Sequence, residues 1–160
     1  MALDFANVSI SAAWQQTKAN TGYQPTVQGP DSLALNTVYT VGSSAANSIY
    51  VAQGTLAAAA SATIDLYSFT DQLGQSVQMV RVYAIIAKAT TDSLKIEPGA
   101  SNPLTWFFSG TSPAITIPAG GGFCFSQATA ATVSSTVRNI KISNPGSVTM
   151  TYNIAIIGGP

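Results

Sequence analysis

The chain has 160 residues, no net charge, and only 8% charged side chains, against about 25% in an average soluble domain. That balance excludes a basic stripe for nucleic acid and a polybasic patch for an anionic membrane. The sequence contains no histidine, which removes the commonest general base and metal ligand, and with them the serine-hydrolase triad.

The length suits one domain with a sizeable core. Ser, Thr, Asn, Gln and Ala carry most of the polarity, and a surface so poor in charge suits a chain that packs against copies of itself. One cysteine, Cys124, excludes an internal disulfide framework. Its neighbours Phe123 and Phe125 point to a buried or half-buried, inert thiol. The first residues lack a basic stretch followed by an apolar one, so no signal peptide is expected. No apolar run approaches the roughly 20 residues of a membrane-spanning helix.

Taken in order, residues 1–31 scatter Leu3, Phe5, Val8, Ile10, Trp14 and Tyr23 without a sustained period. Residues 12–18 are the only helical candidate, and Gly22, Pro25, Gly29 and Pro30 stop anything longer. This segment reads as an extended N-terminal arm whose aromatic residues need burial, on this domain or on a neighbouring subunit. Short strands begin at residue 32, with candidates at 35–41 and 48–53. The alanines at 57–60 favour helix by propensity, but their flanks predict extended or irregular chain. A strand with Ile64, Leu66 and Tyr67 leads to turn-prone residues 70–74.

Residues 77–88, Val-Gln-Met-Val-Arg-Val-Tyr-Ala-Ile-Ile-Ala-Lys, are the longest uninterrupted β signal. A strand with one wet face alternates apolar with polar, and this one is apolar on both sides. It therefore reads as a central strand, with one face on the core and the other on a covering segment or a neighbouring copy. Arg81, Tyr83 and Ile85 share one parity in it, and with Phe5 and Trp14 they are the candidate interface residues. Arg81, a charge in an apolar strand, should be paired, either with Asp65 or Asp71 or across a subunit interface.

Residues 93–97 alternate, Pro98, Gly99 and Pro103 punctuate, and Trp106, Phe107 and Phe108 follow. Residues 115–117 and 123–125 read as a hairpin around a glycine-rich loop, residues 127–136 as a loop, and residues 137–143 and 148–157 as a final hairpin across Asn144, Pro145 and Gly146. About eight to ten short strands with regular turn signals predict an all-β fold. The expected architecture is an antiparallel β-sandwich, jelly-roll-like, over residues 32–160, with the arm at 1–31.

No chemistry is expected. Asp65 with Asp71, or Asp92 with Glu97, is the nearest approach to a glycosidase pair, and nothing in the spacing brings a second carboxylate beside either. Calcium would need several oxygen ligands in one loop. The glycine-rich loop leads to a strand, whereas phosphate binding needs a helix and a lysine there. We expect no enzyme activity, no cofactor and no metal. Consecutive aromatics at 106–108 offer a sugar-stacking platform, although successive residues in a strand point to opposite faces, which assigns at least one of them to the core.

Several stretches together resemble a known group. Residues 56–66 (Leu-Ala-Ala-Ala-Ala-Ser-Ala-Thr-Ile-Asp-Leu), 70–74 (Thr-Asp-Gln-Leu-Gly) and 80–86 (Val-Arg-Val-Tyr-Ala-Ile-Ile) come first. Residues 117–123 (Ile-Pro-Ala-Gly-Gly-Gly-Phe) and 142–158 (Ile-Ser-Asn-Pro-Gly-Ser-Val-Thr-Met-Thr-Tyr-Asn-Ile-Ala-Ile-Ile-Gly) follow in the same order. They resemble small jelly-roll-like virion proteins of tailed bacteriophages over roughly residues 48–158. The chain departs from that pattern at Asn153, where the group carries an acidic residue, and at Leu73, where it carries an aromatic. The resemblance implies a non-enzymatic structural protein located in the virion. A capsid decoration (cement) subunit stabilising the head is the first reading, and a tail or fibre adhesin for a host-surface carbohydrate the second. Its expected partners are copies of itself, a trimer being favoured, and other virion proteins such as the major capsid protein, with neither nucleic acid nor membrane.

Overall fold

A computed structural model describes residues 6–12, 15–17, 26–28, 33–39, 48–70, 74, 76–108, 110 and 113–159. The described residues are all β, in antiparallel sheets, and contain no helix. The first strands are β1 (Ala6–Ala12), β2 (Gln15–Thr17), β3 (Thr26–Gln28) and β4 (Leu33–Tyr39). β1 pairs with β4 from Ala6 opposite Tyr39 to Ala12 opposite Leu33, and β2 pairs with β3 from Gln15 opposite Gln28 to Thr17 opposite Thr26. The N-terminal arm thus folds back on itself in two nested ladders. Ala12 and residues 15–17 are strand, where the sequence suggested helix over 12–18. A helix of two turns is marginal in isolation, whereas each strand here has a partner for its backbone groups. The outer ladder runs to Tyr39.

The sandwich is built from β5 (Ser48–Leu56), β6 (Ser61–Asp65), β9 (Arg81–Ala89), β10 (Leu94–Pro98), β11 (Ile115–Ile117), β12 (Gly122–Thr132), β13 (Asn139–Ser143) and β14 (Met150–Gly159). A two-residue pair, β7 (Phe69–Thr70) with β8 (Ser76–Val77), decorates the crossing from β6 to β9. One sheet has the order β12-β9-β14-β5 and the other β11-β10-β13-β6. Following the chain, every connection between these eight strands passes from one sheet to the other, except β10 to β11. Four strands against four, wound in this order, is the jelly roll.

Two hairpins suggested by the sequence are arches instead. β11 pairs with β10 while β12 pairs with β9, and β13 lies in the sheet opposite β14. The turn chemistry is as read: Gly121 N–H donates to Pro118 O at 2.9 Å, and Gly120 has φ of 75°. A tight turn reverses the chain, but it does not choose the sheet that the next strand joins. β12 also continues to Thr132, through residues expected to be loop, because beyond an interruption Ala131 and Thr132 regain pairing with Val82 and Arg81.

The core lies between the sheets. Leu66, Met79, Ile85, Leu94, Ile96 and Ile156 are among its fully buried side chains. Trp106, Phe107 and Phe108 pack against it, and the Phe107 ring lies 5.0 Å from that of Phe125 and 5.8 Å from that of Phe123.

One buried polar group ties two loops together. Asn144, 1% exposed, donates from Nδ2 to Leu56 O at 3.0 Å, Ala57 O at 3.2 Å and Val148 O at 2.7 Å. Its Oδ1 accepts from Gly146 N–H at 2.9 Å, and its own N–H donates to Ala60 O at 2.9 Å. The arch from β13 to β14 is thereby fastened to the turn from β5 to β6, where Ala59 has φ of 59°. Across the same end, Thr91 Oγ1 donates to Thr149 O at 2.8 Å, and Asp92 accepts from the N–H of Ser93 and Val148.

Removing the Asn144 amide leaves several carbonyls dry and unpaired, each costing about 1–3 kcal/mol. Asn144→Ala should therefore lower stability by about 2 kcal/mol or more in urea-unfolding curves. Asn144→Asp should do comparable damage, because a carboxylate cannot donate to those carbonyls.

Candidate interaction surface

The two sheets present unlike outer faces. On β10 and β13, Glu97 lies between Lys95 Nζ at 2.6 Å and Lys141 Nζ at 2.8 Å, with Lys141 directly opposite it in the ladder. Arg138 pairs with Asp65 at 3.4 Å beside β6. This face is wet and charged.

The other outer face can be read off the registers of β5, β14, β9 and β12. Tyr50, Ile156, Ile85 and Phe125 form one cross-strand row, and they point into the core. The next row, on the opposite face, is Val51, Ala155, Ile86 and Cys124. Two residues along lies Ile49, Ile157, Ala84 and Ser126, and on the other side Gln53, Asn153, Lys88 and Gly122. Two adjacent rows are thus almost wholly apolar, and Lys88 is the only charge in these three.

Val51 and Ile86 are each 38% exposed, large apolar side chains on a surface that has ample polar residues to spare. Beside them Ala84, Ile157 and Tyr83 are buried, with Ile49, Cys124 and Ala130 packed around them. Ala130 arrives there because β12 leaves register between Ser126 and Ala131, so the chain loops out beside the face.

The candidate residues from the sequence divide accordingly. Phe5 and Trp14 lie outside the described residues. Ile85 is fully buried in the core and is not a surface residue. The reason is a bulge: Ile157 opposes Ala84 while Gly158 opposes Val82, which leaves Tyr83 as the extra residue of β9. Beyond the bulge the even residues Ala84, Ile86 and Lys88 face outward. Tyr83 lies on the outer side but is only 7% exposed. Arg81 is half-exposed at the first position of β9; Asp65 is taken by Arg138, and Asp71 lies outside the described residues. Val51, Ile86 and Ala155 were missed, and the period-2 run through residues 148–157 held the signal for the last of these.

No family model, curated protein or solved structure matches this chain.

The described acidic residues, Asp65, Asp92 and Glu97, have structural occupations. Asp92 and Glu97 sit at opposite ends of β10. The backbone N–H groups of Ser93 and then Val148 hold the Asp92 carboxyl below its usual range. Hydrogen bonds from Lys141 and then Lys95 do the same for Glu97. Asp65 also accepts from Tyr67 N–H at 2.9 Å. Among the described residues no group of three His, Cys, Asp or Glu side chains is placed to hold a metal. Burial pushes the Cys124 thiol up, away from the thiolate form that nucleophilic chemistry needs. The aromatic segment is spent on itself. Trp106 meets Phe107 at 4.7 Å and Phe125 at 5.3 Å, both edge-on, and its indole N–H is buried, turned from solvent.

A carboxyl whose pKa is lowered by folding contributes stability above its unfolded value, and loses it as pH falls through the folded value. With no histidine to titrate, the melting temperature should be nearly flat from about pH 8 to 5 and fall below about pH 4.5. Glu97→Gln should reduce that acid-side fall in thermal melts. The partly exposed pair network limits the effect to about 1 kcal/mol.

Proposed function

We propose that this protein is a non-enzymatic structural subunit of a bacteriophage virion, a capsid decoration (cement) protein that stabilises the head through subunit contacts. The observation that carries this reading is the inequality of the two sheet faces. A rigid jelly roll keeps its ion pairs on one face and exposes an apolar row, with Val51 and Ile86, on the other. An apolar, nearly uncharged face loses little on desolvation when it meets a protein surface. The resemblance of its short motifs to those of tailed-phage virion proteins adds the setting, a particle built from many copies. The partners are then other copies of this chain and a shell protein such as the major capsid protein.

A tail or fibre adhesin for a host carbohydrate has less support. Its stacking platform would be residues 106–108, and those rings are packed on one another and on the core.

Immunogold labelling of purified particles with antibody to this protein should decorate the head, and added protein should raise the temperature at which heads release DNA. Ile86→Lys, which places a charge in the centre of the apolar row, should bind heads at least about tenfold more weakly with its circular dichroism unchanged. Label confined to the tail tip would overturn the cement reading in favour of the adhesin. Absence of the protein from particles would overturn both.

A further inference from the structure

The sandwich has four edge strands, and an edge is a row of backbone groups ready to pair with another chain unless something blocks it. Three are blunted. β11 is three residues long and ends at Pro118. β6 is five residues long and ends on Asp65, which is engaged by Arg138. β12 is broken by its loss of register between Ser126 and Ala131. β5 carries none of these devices. It runs nine residues, Ser48–Leu56, in unbroken register with β14, without a charge or a proline. Among the described residues, no strand pairs with its other side.

We propose that β5 pairs antiparallel with β5 of a second copy about a two-fold axis, joining the two four-stranded sheets into one of eight. The partner is a second copy because such a contact sets each residue near the axis against its own image. A charge there would meet itself, and β5 has none. Nor does the rest of the sandwich offer β5 a second open edge to pair with.

The hydrophobic pattern sets the register. With the axis at Val51, that residue lies opposite its own copy, and the row Cys124, Ile86, Ala155 and Val51 continues straight into its image. The apolar rows of the two copies then form one stripe across eight strands. Ile49 meets Gln53 of the second copy in the same register. This contact uses the edge of the sheet and does not depend on the virion reading, so self-association and particle attachment can fail separately.

The test uses the full chain in solution. Light scattering coupled to size exclusion should give twice the single-chain mass, falling toward one chain on dilution. Val51→Lys sets like charges face to face on the axis and should raise the dissociation constant by at least about tenfold. Ile86→Lys, two strands from the edge, should leave the dimer intact. Opposed Cα atoms in an antiparallel pair lie within disulfide range. Val51→Cys, made together with Cys124→Ser, should therefore cross-link under mild oxidation, and Thr55→Cys in the same background should not. Hydrogen exchange on the unaltered protein should slow for the amides of β5 as concentration rises, a readout that needs no variant to fold. A single-chain or trimeric mass at every concentration, equal cross-linking at both positions, loss of the dimer in Ile86→Lys, or concentration-independent exchange in β5 would each overturn the proposal.

Discussion

The sandwich depends on being closed at one end by a side chain rather than by backbone pairing. In a jelly roll nearly every connection leaves its own sheet, so consecutive strands mostly do not hydrogen-bond to one another. The arches must then find partners elsewhere for their polar groups. Asn144 supplies them, with donors to Leu56, Ala57 and Val148 and an acceptor for Gly146. Thr91 and Asp92 grip the same arch from the far side. A Cβ at Gly146 would meet the Asp92 carboxylate, so a side chain there would push that carboxylate away from the Ser93 and Val148 N–H groups. This joint fixes how the two sheets close over Leu56 and Met150.

The outer surface follows from what the core consumes. A chain with six basic and six acidic residues has few charges to distribute. Glu97, Lys95 and Lys141 gather three on the β10–β13 face, and Asp65 with Arg138 adds two beside it. The β5–β14–β9–β12 face is left with Lys88 among its central rows. Such segregation costs little within one chain, since exposed ion pairs contribute little. Its effect is on association: one face repels burial, and the other has nothing to lose by it.

The reading of a central strand apolar on both faces holds for residues 81–88, where β9 lies between β14 and β12; Val77 belongs instead to β8, and residues 78–80 are in no strand. The assignment of faces along it did not, because one bulged residue reverses the parity of everything on one side of it. A period-2 pattern in a strand apolar on both faces carries no internal mark of such a slip. Gly158 was the trace left in the sequence. The bulge brings Met79 and the Arg81 carbonyl against its α-carbon, where no side chain fits.

The sequence by itself determined the class of structure. Short runs rich in β-branched residues, punctuated by proline and glycine, can bury an apolar face only as strands, and the turns fall where Pro118, Gly120 and Asn144 place them. The scarcity of charge and the lack of histidine likewise set the chemistry the chain can offer. The tertiary structure alone decided which sheet each strand joined, since turn residues encode a reversal and not a destination. It also decided that Ile85 belongs to the core while Ile86 faces outward, that the aromatics of residues 106–108 stack on one another, and that β5 ends its sheet. Those outcomes depend on contacts between residues far apart in the chain, which local periodicity does not record.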